Sequence, residues 1–294
     1  MFPGAEWLTP TMICALSLAL SDTATKRFLA SYTAAQLVVV RFGLTALLLS
    51  PMLFLSPVAM PPAAFWPWMG AALPLEVLAE VLYVLAIRDS PLALTLPYLA
   101  FTPVLTALFG WLLLGETISG QGLAGVLSVV LGAYLLNLEH ARLARPRTWF
   151  APLLAITRER GSRLMLGVAV IYGVTSVLGK GAMQHLPGPG FGAFYFVLVG
   201  LFTLLVFALR EPAALAILAR PRPAHLLVAG LMALMIVTHF MALALVETAY
   251  MIAVKRLSIL FGILLGAMFF AEGRLARNLA AGGLMVGGVA LIIL

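Results

Sequence analysis

Ten separate stretches of this chain are apolar for about the length that crosses a bilayer, and little polar sequence is left between them. They run over residues 8–28, 34–55, 65–87, 92–114, 118–138, 164–184, 190–209, 224–246, 249–270 and 275–294. A spanning helix needs about 20 mostly apolar residues. In lipid every backbone amide must find its hydrogen bond internally, so such runs are helices rather than open strands. The rest of the composition agrees. Of the 294 residues 63% are hydrophobic and only 10% are charged, with mean hydropathy +1.09. A soluble domain carries about 25% charged residues. There are too few polar side chains here to coat a water-facing surface, so lipid must cover most of it. The expected fold class is an all-α integral membrane protein.

Turn chemistry punctuates the runs, at Ser56-Pro57, Pro61-Pro62, Ser90-Pro91, Pro187-Gly188-Pro189 and Pro221-Arg222-Pro223. The longest polar interval, residues 139–163, holds Arg142, Arg145, Arg147, Arg158, Arg160 and Arg163. Its short apolar piece, residues 149–156, is too short to span and suits the membrane surface. On either side of this interval the chain repeats itself. Lys26 and Lys180 close or nearly close the first helix of each half, 154 residues apart. Glu116 and Glu272 end "LTALFGWLLLGE" and "LFGILLGAMFFAE", 156 residues apart. Each is followed by a glycine-rich helix, with Gly122, Gly125 and Gly132 in one and Gly282, Gly283, Gly287 and Gly288 in the other. These offsets predict two five-helix repeats, residues 1–138 and 164–294, joined by the basic linker 139–163. Five helices per repeat is odd, so the second repeat enters the membrane from the opposite side and the two are inverted.

The formal net charge of +7 sits mostly in short loops. Arg88, the linker arginines, Arg210, Arg220, Arg222, Arg274 and Arg277 fall on one side, and Lys26 and Arg27 border it. The positive-inside rule makes that side cytoplasmic and puts both termini outside. No basic stripe or base-stacking module appears, so nucleic acid is not an expected partner. Cys14 is the only cysteine and lies inside an apolar run, where it packs. Met1 to Trp7 carries only Glu6 and no basic n-region, so the first run is expected to remain as a membrane helix. His140, His185, His225 and His239 lack metal-ligand spacing, and neither metal nor cofactor is expected.

Three stretches carry a family resemblance. "SDTATKRFLASYTAAQLVVVRFGLTALLLSP" (21–51) resembles the opening of an EamA-type domain, with a lysine late in helix one and an arginine early in helix two. "PYLAFTPVLTALFGWLLLGE" (97–116) resembles that domain's fourth helix, and "AYMIAVKRLSILFGILLGAMFFAE" (249–272) resembles its counterpart in the second half. The resemblance implies a member of the drug/metabolite transporter superfamily, with ten helices in two inverted halves, in a bacterial inner membrane. It implies export or exchange of small metabolites by alternating access and leaves the substrate open.

Charges inside apolar runs cost about 2.5–3.5 kcal/mol each on insertion scales and persist where they face a cavity or a partner. Those here are Asp22, Lys26, Arg41, Glu76, Glu80, Lys180, Lys255 and Arg256. Glu76 and Glu80 share a helix face that Tyr83 continues. Two carboxylates so placed repel, which suits proton coupling or a substrate amine, unless each pairs with a base on a neighbouring helix. Lys255 shares a face with Ser258 and Gly262 and is placed to receive an anionic group. Gly262 and Gly266 can instead be a helix-packing pair. Arg256 points about 100° away and reads as a structural contact. Asp22 and Lys26 are an i, i+4 pair expected to neutralise each other. Arg41 and Lys180 read as gate or structural charges, and the doubled Glu116 and Glu272 as structural, bonding backbone at a loop. Tyr98, Tyr172, Tyr195, Tyr250, Trp111 and His239 are candidate pocket residues, and Pro74, Pro97 and Pro103 candidate hinges.

The leading expectation is a secondary transporter exporting a small polar metabolite such as an amino acid. No Walker-type loop is present, so ion coupling, with protons as a candidate, or passive exchange drives it. Efflux of cationic or amphipathic compounds is the alternative, and requires Glu76 or Glu80 rather than Lys255 as the main anchor. A lipid-active enzyme would need a nucleophile, base or metal set, and neither HExxH nor GxSxG occurs. A structural or lipid-moving subunit does not need a doubled ten-helix pattern. The expected partners are a small-molecule substrate and the bilayer, with the chain a monomer or homodimer.

Overall fold

The structure, a computed structural model, describes residues 6–89, 96–136, 160–270 and 275–293, and among these it is helical with no strand. In chain order the helices are α1 (Leu8–Phe28), α2 (Ala34–Leu55), α3 (Phe65–Asp89), α4 (Thr102–Leu114), α5 (Gly120–Leu136), α6 (Arg160–His185), α7 (Phe191–Arg210), α8 (Pro223–Leu243), α9 (Thr248–Lys255), α10 (Leu257–Phe270) and α11 (Leu275–Ile293). Five of them, α2, α3, α6, α7 and α8, are long and apolar enough to cross a bilayer. Shorter apolar helices lie at Tyr98–Leu114, Gly120–Leu135 and Gly282–Ile293. α1 has the length, but it buries Thr11, Ser17, Ser21 and Thr25 in the protein interior, which lowers its apolarity.

Local chemistry explains the ends. α2 starts on a capping box, in which Gln36 N–H donates to Thr33 Oγ1 and Thr33 N–H donates to Gln36 Oε1. Lys26 and Arg27 occupy the last turn of α1, where cations oppose the helix dipole. α4 ends at Gly115 with φ 67°, a left-handed conformation that glycine adopts without a Cβ penalty. Three expectations about continuity fail. α2 is wound as a π-helix over Val39–Leu44, around Arg41. The run expected as one helix over 249–270 is interrupted at Arg256, between α9 and α10. Pro103 stands in the first turn of α4, after a 3-10 segment Leu96–Phe101 that contains Pro97, and so starts that helix rather than kinking it. Pro74 does lie inside α3. α6 begins at Arg160, within the basic interval. Arg88, Arg142, Arg145, Arg147, Arg158, Glu272, Arg274, Arg277, His140 and the 149–156 piece fall outside the residues whose side chains are described.

The helices pack in a definite set of pairs: α1 with α8, α6 with α3, α1 with α9 and α10, α6 with α4, α2 with α8, α7 with α3, and also α2 with α7, α4 with α9, and α5 with α11. Close backbone approach sets two of these contacts. A Cβ on Gly125 would meet the Gly288 carbonyl oxygen at 2.7 Å, and one on Gly288 would meet that of Gly125 at 2.7 Å, so the glycine-rich helices α5 and α11 pack on each other within the chain. A Cβ on Gly200 of α7 would collide with Ala46 Cβ and meet the Phe42 carbonyl oxygen at 2.9 Å on α2. Gly262 has open space beside it among the described residues, and Gly266 falls outside the residues whose side chains are described. Apolar side chains also cover the outside, with Phe54 88% exposed, Leu209 76% and Trp111 60%, which is the surface lipid requires.

One polar tie joins α4, α6 and α9. Glu116, folded back by the Gly115 turn against the bare Gly110, pairs with Lys180 Nζ at 2.8 Å. It also accepts from the backbone N–H of Thr248 at 3.1 Å and from its hydroxyl at 2.9 Å, so it caps the start of α9. Lys180 donates as well to the Val246 carbonyl at 2.5 Å.

Two measurements check this packing. Gly200→Ala is expected to destabilise the purified protein by about 1–3 kcal/mol through overpacking. Gly230→Ala, with open space beside it, is expected to be neutral or to stabilise by up to about 1 kcal/mol. In thermal unfolding, Lys180→Met and Glu116→Gln should each lower Tm and should show a coupling of about 1–3 kcal/mol in a double-mutant cycle. Additive losses would mean that the two side chains do not support one another.

Candidate functional site

A cavity of about 110 Å³ lies in the middle of the bundle, walled by α1, α2, α3, α6, α7, α8, α9 and Arg256. It opens between two apolar clusters, and the chain passes from one to the other along several helices. On α2, Val40 belongs to one cluster and Phe42 to the other, with Arg41 between them. The wall residues follow helical periodicity. α6 contributes Tyr172, Thr175, Ser176 and Gly179, at i, i+3, i+4 and i+7. α8 contributes Met232, Met235, Ile236, His239 and Phe240, and α3 contributes Glu76 and Glu80.

The charges in the wall are satisfied unequally. Arg41, 2% exposed, is clamped by two carboxylates: its Nε donates to Glu80 at 2.5 Å and its NH1 to Asp22 at 2.8 Å. Tyr83 lies against the guanidinium, 5.6 Å from ring centroid to Cζ, and donates its hydroxyl to Asp22 at 3.1 Å. Tyr172 donates to Glu80 at 3.2 Å. Glu80 therefore takes a base as its partner. Glu76 does not: its recorded hydrogen bonds come from hydroxyls, Tyr195 at 3.2 Å and Thr175. Lys255 Nζ lies 3.2 Å from Nδ1 of His239, within hydrogen-bond distance. Arg256 is buried, and its Nε has no hydrogen-bond acceptor among the described residues.

Backbone irregularity places the two adjacent cations. In an unbroken helix Lys255 and Arg256 would diverge by about 100°. Here the Arg256 N–H is shared between the carbonyls of Ile252 at 3.3 Å and Ala253 at 3.1 Å, and the helix tightens before α10 resumes. Both side chains end in the cavity wall. The expectation that Arg256 points elsewhere is thus corrected.

Of the expected site residues, Glu76, Glu80, Lys255, His239, Arg41, Tyr172 and Tyr195 meet at the cavity. Ser258, beyond the break, does not, nor does Tyr98, which packs in the core. Tyr83 and Asp22 lie behind Arg41 rather than in the wall. Asp22, expected to be neutralised along its own helix by Lys26, has its carboxylate held from α2 and α3 instead. Lys180 belongs to the tie described above. Trp111 faces outward, and the Tyr250 hydroxyl accepts the Ser119 N–H at the α5–α9 contact. Thr175, Ser176 and Met232 were not singled out from sequence, although the spacing of Tyr172, Thr175 and Ser176 marks one helix face and could have revealed the first two. Among the described residues no group of His, Cys, Asp or Glu could hold a metal ion.

None of the curated proteins matches the sequence. A crystal structure described only as that of a protein shares the fold with TM-score 0.71 over 97% of this chain and 98% of that one, at 18% identity. At that identity the likeness concerns the fold alone. Residues 6–138 match the EamA-like transporter family. That stretch holds Asp22, Arg41, Glu76 and Glu80, and so supplies both carboxylates of the cavity wall. Over residues 6–138 the chain is similar to the EamA-like transporter family, whose members are transporters, and its long apolar helices are those of a multi-pass membrane protein.

Proposed function

We propose that this protein is a secondary transporter that exports a small zwitterion of the amino-acid kind by alternating access across a bacterial inner membrane, with its basic loops cytoplasmic. The observation that carries this reading is the unequal pairing of charge in one cavity. Arg41 and Glu80 answer each other. Glu76, with hydroxyl partners, and Lys255 and Arg256, with no carboxylate within salt-bridge distance among the described residues, line the same cavity. A buried charge without a partner costs several kcal/mol. A solute that brings an amine to Glu76 and a carboxylate to Lys255 and Arg256 removes that cost on both sides at once. The cavity's size suits a small solute rather than a drug-sized one.

The packing pairs support two inverted five-helix repeats, residues 1–138 and 164–294, around the linker 139–163. Exchanging each helix with its counterpart in the other half turns the α1–α8 contact into α6–α3, the α1–α9 and α1–α10 contacts into α6–α4, and α2–α8 into α7–α3. The α2–α7, α4–α9 and α5–α11 contacts map onto themselves. Gly43 and Gly200, each tight against the opposite helix of the α2–α7 pair, stand 157 residues apart, close to the offsets of the paired lysines and glutamates. Such repeats place a binding site at their interface near the midplane and let it open to either side. The charged groups are divided between the halves: Glu76 comes from the first, Lys255 and Arg256 from the second. Rocking one half against the other would separate the two ends of a bound zwitterion.

Thermal stabilisation in detergent, against a panel of amino acids, organic anions and cationic drugs, tests the reading. Carboxylate-bearing zwitterions should stabilise the wild type. Lys255→Ala and Glu76→Gln should each weaken that binding by about tenfold or more, about 1.4 kcal/mol. Stabilisation by cations alone, lost in Glu76→Gln and kept in Lys255→Ala, would overturn it in favour of amine or drug efflux.

A further inference from the structure

We infer that the hydroxyls of Thr102 and Thr106 on α4, together with Nε of Arg256, form a seat for one small monovalent anion behind the cavity wall. A free chloride ion and the carboxylate of a solute share that chemistry; the carboxylate arm of the inference rests on the function proposed above. Three buried polar atoms carry it. Thr102 Oγ1, Thr106 Oγ1 and Arg256 Nε each have no hydrogen-bond partner among the described residues. Both threonines are fully buried, and Arg256 is 5% exposed. Buried polar groups are nearly always hydrogen-bonded, so one orphan calls for a reason, and three in one place call for a shared one. The threonines stand four residues apart on α4 and so share a helix face.

The packing of α9 brings Arg256 to that face. Thr248 opens α9 by donating to Glu116, and Glu116 stands against Gly110 of α4, where a Cβ would meet its Oε2 at 2.8 Å. Toward the other end of α9, Ala253, Val254 and Leu257 share an apolar cluster with Ala100, just before α4. α9 therefore runs back along α4, antiparallel to it. Thr248 to Arg256 and Gly110 to Thr102 are each eight residues, about 12 Å of helix. Arg256 is thus level with Thr102, and Ile252 with Thr106. α6 closes the same place: a Cβ on Gly173 would meet Leu105 Cβ at 2.9 Å and the Thr106 backbone nitrogen at 3.4 Å, and its neighbour Tyr172 stands in the cavity wall. Arg256 lines the cavity and the threonines do not, so Arg256 is the link between the cavity and the seat.

All three groups can donate a hydrogen bond, and a guanidinium can do nothing else. Water accepts from such donors but brings no charge to Arg256, which has no carboxylate within salt-bridge distance among the described residues. An anion accepts from all three and offsets the buried cation as well. One guanidinium and two neutral hydroxyls balance a single negative charge.

Thermal unfolding of the detergent-purified chain, with sodium gluconate replaced stepwise by sodium chloride at constant ionic strength, tests the seat without any solute. Gluconate is the reference because its polyhydroxylated chain is too large for a buried seat. Chloride should raise the Tm of the wild type saturably. In the double variant Thr102→Val, Thr106→Val the chloride concentration at half-effect should rise about tenfold or more. In gluconate alone that variant should unfold no lower than wild type, because it removes buried hydroxyls that have no partner. Thr102→Ser with Thr106→Ser keeps the hydroxyls and should keep the wild-type chloride response. A response absent in wild type, or unchanged in the valine variant, overturns the inference. L-alanine at fixed concentration should then raise the half-effect concentration of chloride, as a carboxylate competing for one seat must. If L-alanine stabilises the protein and leaves the chloride response where it was, the carboxylate arm is overturned and the seat holds a free anion. If L-alanine does not bind, the zwitterion reading fails, while the chloride titration still decides the seat.

Discussion

Burying charge where water cannot follow is the constraint on which the interior of this protein is organised, and the Arg41 clamp is its main answer. A lone guanidinium in a low-dielectric core costs several kcal/mol, which good geometry and full hydrogen bonding can offset. Arg41 receives both: Glu80 and Asp22 as counter-ions, Tyr83 against its face, and Tyr172 on the far side of Glu80. The clamp draws α1, α2 and α3 together at one level of the bundle. Because it absorbs Glu80, it also leaves Glu76 as the wall carboxylate with hydroxyl rather than basic hydrogen-bond partners. The two acids, four residues apart on one helix, therefore come to have different partners.

Backbone irregularity coincides with charge. The π segment surrounds Arg41, the tightened turn falls at Lys255 and Arg256, and the left-handed Gly115 folds Glu116 back to Lys180 and Thr248. In each case a regular helix would aim the side chain elsewhere. Regular winding turns successive side chains by about 100°, and the tightened turn at Arg256 changes the direction in which Lys255 and Arg256 leave the backbone. Irregular backbone is tolerated at membrane depth where it is buried in protein or lines a cavity, and Arg41, Lys255 and Arg256 all stand in the cavity wall.

The helices were largely legible. α1 runs over the residues expected of it, and α7 and α8 differ from expectation by a few residues at their ends. What hid the break at Arg256 is that it lies inside an apolar run with no proline or glycine at the point of change, and Gly43, inside the π segment, does not by itself mark a change of winding. Gly262, which does look like a packing glycine, has open space beside it among the described residues, whereas Gly200, which carries no such mark in the sequence, is pressed against α2. A glycine in a sequence says that close approach is possible, and only the neighbouring helix says whether it occurs.

Partition into a bilayer sums over one segment, so sequence by itself determined that this chain is a helical membrane protein, where most of its helices lie, and which few charges had to find a reason for being there. Charge pairing depends on distances between helices that are remote in the chain. The partners of Arg41 stand 19 and 39 residues away, Tyr195 reaches Glu76 across 119, and Glu116 reaches Thr248 across 132. The tertiary structure alone decided that Asp22 turns to Arg41 rather than Lys26, that Arg256 joins Lys255 at the cavity, and that Ser258 and Tyr98 stay out of it. The physical reason is that hydrophobicity is a property of each residue in its segment, whereas the worth of a buried charge is set by whichever helix packs beside it.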